Sequence, residues 1–274
     1  MPTSAKRQMW VPPTFYVIYE SEQTMINENR TDIIEGRNPV MEALKSGRTI
    51  DKILVQNGEK QGSIIKILKM AKEMRIAVSY VEKAKLDSLA STKAHQGVVA
   101  YVAAKEYVSL KDIVNIAKEK GEAPFVVICD EITDPHNLGS IIRTANAAGA
   151  HGVVISKHNA VGLNSVVAKT SAGAVEFTPV AKVSSIAQAI ETLKKENIWV
   201  VAADMDGDRT VYEHDFSGGV AIVIGNEGKG ISHLVKKNCD FIVRIPMLGK
   251  ISSLNASVAG ALMIYEVVRN RKEN

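Results

Sequence analysis

Cysteine is scarce in this chain, with only Cys129 and Cys239 among 274 residues. They stand far apart beside apolar runs and can form neither a C-x-x-C redox pair nor a disulfide framework, so buried thiols in a reducing compartment are expected. Long apolar stretches are missing as well. No run reaches the roughly 18 residues needed to cross a bilayer. Residues 1–19 carry Lys6 and Arg7 but no sustained apolar segment of a signal peptide, which places the expected location in the cytoplasm and away from membranes. Charge of one sign is also lacking: 34 Lys and Arg against 30 Asp and Glu leave a net charge of +4. That balance excludes a polycation and permits a nucleic-acid partner without requiring one. The six histidines, His95, His136, His151, His158, His214 and His233, show no H-x-x-x-H spacing and no nearby cysteine pair, so no metal site is expected.

What remains is a chain with 46% hydrophobic residues, enough for two ordinary domains with separate cores. Residues 1–31, with Pro12 and Pro13 and then a polar stretch from Glu20 to Arg30, have no clear period and read as an N-terminal arm without assigned function. From Ile33 the pattern sharpens. Asn38 is expected to cap a helix with Pro39 in its first turn, and Gly47 to end it. Strands are expected at Ile50–Gln56, Ile76–Val81 and Val98–Val102, with helices at Ser63–Arg75 and Ala84–Ser91. These make a small α/β domain over residues 32–104. On the longer helix Ile64, Ile67, Leu68, Ala71 and Met74 supply an apolar side, while Lys66, Lys69, Lys72 and Arg75 crowd the other. Taken alone, that basic side reads as a solvated face.

Residues 105–123 hold a polar connector and a helix from Leu110 to Lys120. In residues 124–274 the strands Phe125–Cys129, Gly152–Ile155, Ile198–Ala202, Val220–Ile224 and Phe241–Ile245 are continuous apolar runs separated by helices. That pattern predicts a parallel sheet covered on both faces, in an α/β protein.

Open parallel sheets bind ligands beyond the carboxyl ends of their strands, and three such segments are unusual. The first runs Asp130-Glu131-Ile132-Thr133-Asp134-Pro135-His136-Asn137-Leu138-Gly139 into a helix bearing Arg143 amid small and apolar neighbours. Pro135 and Asn137 are also ordinary turn and cap residues. The second is Gly225-Asn226-Glu227-Gly228-Lys229-Gly230, followed by Ser232, which is placed to cap the next helix. Its glycines permit close backbone approach, but the spacing matches neither the dinucleotide fingerprint nor the Walker loop. Glu227 would repel a pyrophosphate, so an uncharged or cationic ligand suits the loop better. The third runs Ile245-Pro246-Met247-Leu248-Gly249-Lys250-Ile251-Ser252-Ser253-Leu254-Asn255 into a helix dense in small residues, Ala256, Ser257, Ala259, Gly260 and Ala261.

Together these segments resemble the three signature motifs of the SpoU, or TrmH-like, family of RNA 2′-O-ribose methyltransferases in the SPOUT superfamily: N-x-G-x-x-x-R, G-x-E-x-x-G after a strand, and I-P-M-x-G with S-L-N before a helix. The small domain resembles the family's L30e-like substrate-binding domain, through Glu35-Gly36-Arg37-Asn38-Pro39-Val40 and His95-Gln96-Gly97-Val98. The resemblance spans Ile33 to Arg271. Asp134-Pro135-His136-Asn137-Leu138-Gly139 and Asn197-Ile198-Trp199 are most similar to the subgroup that methylates a guanosine of 23S ribosomal RNA. Ala256 stands where that family usually has valine.

The resemblance implies a deep trefoil knot in the C-terminal domain and S-adenosylmethionine as cofactor. It assigns Arg143, Asn137, Glu227, Ser253 and Asn255 to catalysis. To the cofactor it assigns Gly225, Asn226, Gly230, Ile245, Met247, Ser253 and Leu254. It makes Arg37, Lys66, Lys69, Lys72 and Arg75 candidates for RNA phosphates. A homodimer is implied too, in some members with the arginine crossing the interface. Two other readings stay open: the same reaction on transfer RNA or another ribosomal site, and a non-catalytic RNA-binding assembly factor. A dinucleotide oxidoreductase is disfavoured by the glycine spacing and by the lack of a ribose-binding acid after the first strand.

Overall fold

The computed structural model describes residues 33–58, 62–90 and 94–273, so the expected arm lies outside the described residues. The first part of the chain forms β1 (Ile33–Glu35), α1 (Arg37–Lys45), β2 (Ile50–Gln56), α2 (Ser63–Glu73), β3 (Ala77–Val81), α3 (Lys83–Leu89) and β4 (Val98–Val102). Its sheet has the order β1-β4-β2-β3; β4 runs antiparallel to β1 and β2, and β2 runs parallel to β3. The three-residue β1 is too short to show a period in sequence.

The start of α1 corrects an expectation. Its N-cap is Gly36, at φ 95°, and Asn38 lies inside the first turn. A cap from Asn38 is unnecessary because Gln96 supplies one from across the fold: its Oε1 accepts from the Arg37 N–H at 3.3 Å, and its carbonyl accepts from Arg37 Nε at 2.9 Å. On α2, Ile64, Ile67 and Ala71 are buried while Lys66, Lys69 and Lys72 face water. Met74, expected on the apolar side, falls just past the helix and is exposed.

The second part contains α4 (Leu110–Lys120), β5 (Phe125–Cys129), α5 (Pro135–Ala147), β6 (Gly152–Ser156), α6 (Ser165–Thr170), β7 (Val180–Val183), α7 (Ile186–Lys195), β8 (Trp199–Ala203), β9 (Arg209–Thr210), β10 (Val220–Ile224), α8 (His233–Asn238), β11 (Phe241–Arg244) and α9 (Ala256–Glu273). All seven strands run parallel, in the order β7-β6-β5-β10-β8-β11-β9. β7 and β9 go beyond the five strands expected. Every residue of β5, β6 and β10 is buried, which is why these strands read as unbroken apolar runs rather than alternating ones. One face packs on α5, α6 and α9 through Ile141, Val167 and Ile264; the other packs on α4, α7 and α8 through Ile113, Ile190 and Val235.

Several contacts tie the parts together. The connector lies beside β7, with Val108 N–H donating to the Val180 carbonyl at 2.9 Å, and Lys105 capping the Val175 carbonyl at 2.8 Å. Asp51 at the start of β2 pairs with Lys182 of β7, the two side chains only 14% and 13% exposed. The Tyr107 hydroxyl lies 3.3 Å from Asp51 Oδ2 and accepts from Leu163 N–H at 2.8 Å. A Cβ on Gly162 would collide with the Asp51 carboxylate. At the far end of α9, the Arg271 guanidinium donates to the carbonyls of Ala123, Pro124 and Gly218 at 2.8 to 3.0 Å and stacks over Phe125. Gly260 of α9 leaves no room for a side chain, since a Cβ would sit 2.7 Å from Ile224 Cδ1.

Candidate functional site

Beyond the carboxyl ends of β8, β10 and β11 lies a cavity of about 530 Å³. Its walls are the turn after β8 (Asp204, Met205, Asp206), the loop from Gly225 to Ile231, then Ile245 and Met247, Ser252 to Leu254, and Ala256 and Ala259 of α9. The glycine loop is a tight hairpin. Asn226 and Gly230 exchange backbone hydrogen bonds at 3.1 and 2.9 Å. A Cβ on Gly225 would lie 2.4 Å from the Gly230 carbonyl carbon. The Asn226 side chain shapes this hairpin: its Oδ1 accepts from Gly228 N–H at 2.9 Å and Lys229 N–H at 3.2 Å, while Nδ2 donates to the Glu131 carbonyl at 2.9 Å.

A chain of side-chain bonds joins the three motifs beside the cavity. Asn255 Nδ2 donates to Asn137 Oδ1 at 3.0 Å, and Asn137 Nδ2 donates to the carboxylate of Glu227. Asn255 also caps α9, its Oδ1 accepting from the Ser257 and Val258 N–H groups at 3.0 and 3.3 Å. Asn137 is buried, and its helix is capped instead by Asp134, whose carboxylate accepts from His136 N–H. Ser232 occupies the N-cap position of α8 without a side-chain cap bond, its N–H being held by Asp130 Oδ2 at 2.8 Å.

Of the residues singled out in sequence, Gly225, Asn226, Glu227, Gly230, Ile245, Met247, Ser253 and Leu254 line the cavity. Asn137 and Asn255 do not line it and reach it through Glu227. Arg143 is exposed on α5, outside the cavity lining, and takes part in no ion pair among the described residues. Arg37, Lys66, Lys69, Lys72 and Arg75 belong to the other sheet, all exposed except the half-buried Arg37. Three charged cavity residues went unnoticed in sequence: Asp204, Asp206 and Lys236. The polar Asp204-Met205-Asp206 following the apolar β8 was the signal that could have found the first two.

Both thiols are held in the protonated form. Burial pushes Cys129 up to about 12, with Asp130 adding to the effect, and burial pushes Cys239 to about 12 as well. Among the described residues no group of His, Cys, Asp and Glu is arranged to hold a metal ion, and no helix is long and apolar enough to cross a membrane.

A parallel α/β sheet with a cavity of mixed apolar and charged walls past its strand ends, and a glycine loop carrying a carboxylate, defines a protein suited to a neutral or cationic ligand. Residues 124–265 match the SpoU rRNA Methylase family and residues 33–108 match the family described as RNA 2′-O ribose methyltransferase substrate binding. The chain belongs to the SpoU/TrmH family of S-adenosylmethionine-dependent RNA methyltransferases. It is 48% identical over 88% of its length, and 96% of the relative's, to YacO of Bacillus subtilis (strain 168), a protein named for the TrmH family of tRNA/rRNA methyltransferases. A Staphylococcus saprophyticus protein with the same family name is 47% identical over 87% of this chain and 96% of its own. Among solved structures, the SpoU methyltransferase AviRb of Streptomyces viridochromogenes in complex with AdoMet aligns with TM-score 0.55 and 29% identity, over 88% of this chain and 91% of that one.

The cavity fits that cofactor. Ile224, Ile231 and Leu254 give its wall an apolar part suited to a flat ring, and Gly225 lets the hairpin close its own backbone against Gly230. Asp204, Asp206 and Glu227 outnumber Lys229 and Lys236 along the wall, a balance that favours a sulfonium cation.

Proposed function

We propose that this protein methylates a ribose 2′-hydroxyl, on a guanosine of 23S ribosomal RNA, in the cytoplasm. The observation that carries the reading is the bond chain Asn255 to Asn137 to Glu227, which gathers three motifs distant in sequence at the edge of one cavity. In this reading residues 32–104 form an L30e-like RNA-binding domain, residues 105–123 connect, and residues 124–274 form the catalytic domain. We infer also that the C-terminal segment is threaded as a deep trefoil knot. Support comes from β11 pairing with β8 while α9 turns back onto α5 and β10, where Gly260 permits the close approach.

Bound S-adenosylmethionine supplies an electrophilic methyl group whose departing thioether needs no acid. The chain must therefore align the hydroxyl and give its proton a destination. Backbone at Gly225, Ile245 and Leu254 holds the cofactor, with Asn226, Gly230 and Met247 completing its wall. Glu227, Asn137, Ser253 and Asn255 organise the ribose. A guanidinium stays protonated, so Arg143 is assigned to orienting a substrate phosphate and stabilising developing alkoxide charge, with that phosphate or a water taking the proton. Near-normal turnover in Arg143→Lys would sink the bidentate role.

Arg143 stands outside the cavity of its own chain, and α9 presents exposed Val258, Leu262 and Tyr265 along one side. Both features support a homodimer in which the arginine completes the partner's site. Mixing Arg143→Ala with Asn137→Ala protein should then restore activity that neither has alone. The basic face of α2, with Arg37 and Arg75, is assigned to RNA phosphates.

Incubation with methyl-labelled S-adenosylmethionine and unmodified large-subunit RNA, followed by nucleoside analysis, tests the substrate. Labelled 2′-O-methylguanosine is expected. Label on transfer RNA alone would establish the second reading, which accords equally with relatives whose names carry both RNAs.

A further inference from the structure

From α8 only Lys236 reaches the cavity. Its ammonium lies 2.7 Å from Asp204 Oδ2 and 3.0 Å from Asp206 Oδ2, and the Lys236 and Asp204 side chains are just 23% and 15% exposed. The hydrogen bond that it donates to Asp204 leads the influences that raise the pKa of this ammonium.

The two walls follow the paired strands β8 and β10, and past the strand ends each is shaped by its own contacts. The turn after β8 is fixed to β11: Gly207 N–H donates to the Asp204 carbonyl at 3.2 Å, Arg244 Nη1 donates to the Gly207 carbonyl at 2.6 Å, and a Cβ on Gly207 would lie 2.5 Å from the Val243 carbonyl carbon. The opposite wall is the glycine loop, which runs through Ile231 and Ser232 into α8. Lys236, on α8, bonds the β8 turn and so ties it to the helix that continues the loop. An exposed ion pair would add almost nothing. The pair with Asp204 is largely withdrawn from water, though Asp206 is exposed, and together they tie the β8 turn to the helix that the glycine loop runs into, where preorganisation converts directly into affinity.

We propose that Lys236 is a positioning residue for cofactor binding, clasping Asp204 and Asp206 so that the β8 turn and the glycine loop stand at the spacing the cofactor requires. The inference rests on S-adenosylmethionine as cofactor and not on which RNA is methylated, because its first readout contains no RNA.

The test is calorimetric titration of the full-length protein with S-adenosylmethionine, then steady-state kinetics at saturating RNA. Lys236→Met is expected to raise Kd and cofactor KM about tenfold with kcat held within about threefold, and Lys236→Arg to bring both constants back to near wild type. An unchanged Kd in Lys236→Met overturns the proposal. A fall in kcat at constant KM overturns it by placing Lys236 in the transfer step. Equal weakening in both variants with equal loss of Tm overturns it in favour of a folding contact. Should Lys236→Met fail to fold, Asp206→Asn at its exposed position must still raise the cofactor KM about two- to threefold; no change overturns the proposal.

Discussion

In the four-stranded sheet β3 has no buried residue and the neighbouring α2 turns three lysines to water, whereas in the seven-stranded sheet β5, β6 and β10 are buried at every position and the polar residues collect beyond the strand ends. The first arrangement offers a face and the second offers loops held by a rigid interior. A face built from separate lysines loses function in increments. A loop packed to backbone contact, such as Gly225 on Gly230, loses it at a single substitution.

The sharpest way to break that comparison is Gly225→Val. With no space for even a Cβ, the hairpin must move, and S-adenosylmethionine affinity is expected to fall more than about a hundredfold by calorimetry. Retained affinity would show the loop to be as forgiving as a surface. Next comes Asn137→Ala, which severs Glu227 from Asn255. Single-turnover methyl transfer should slow roughly a hundredfold, with cofactor Kd changed no more than about threefold; an unaltered rate would remove the network from the chemistry.

A smaller effect is expected from Lys66, Lys69 and Lys72 changed together to alanine. RNA affinity should drop about tenfold and the slope of log K against log salt should flatten by roughly 2, with cofactor affinity untouched. An unchanged slope would return that face to mere solvation. The smallest effect concerns pH. Burial is the main cause lowering the pKa values of His151 and His214, both in the seven-stranded part, below the ordinary 6.5. The unfolded chain therefore binds more protons, so their contribution to stability is complete above pH 6.5 and is lost as pH falls towards the folded values. Calorimetric scans should show Tm declining by a few degrees between about pH 6.5 and 5; a rising Tm would contradict the burial argument.

The motifs were legible because each follows a strand that is apolar throughout, and the chemistry-bearing residues cluster where such strands end. Resemblance alone put them in one site, and their mutual bonds were not legible, because each joins residues about 90 or more positions apart. The Asp51 pair with Lys182 was not legible, since its partners are 131 positions apart and each looks like an ordinary surface charge. Lys236 was hidden for the same reason, one lysine beside another on a six-residue helix. β7 escaped notice because Lys182 interrupts four residues that carry no longer period. The cap of α1 was misassigned because Gln96, which does the capping, lies on a turn far along the chain.

The strand order has a consequence for synthesis. β10 lies between β5 and β8, yet both neighbours leave the ribosome before it, so the centre of the sheet cannot close in the order it is made. The carbonyls of Ala123 and Pro124 wait longer still, 148 and 147 residues, for the guanidinium that binds them. While the strands of the four-stranded sheet are all made once β4 emerges, the seven-stranded part has to remain open through nearly all of its own translation.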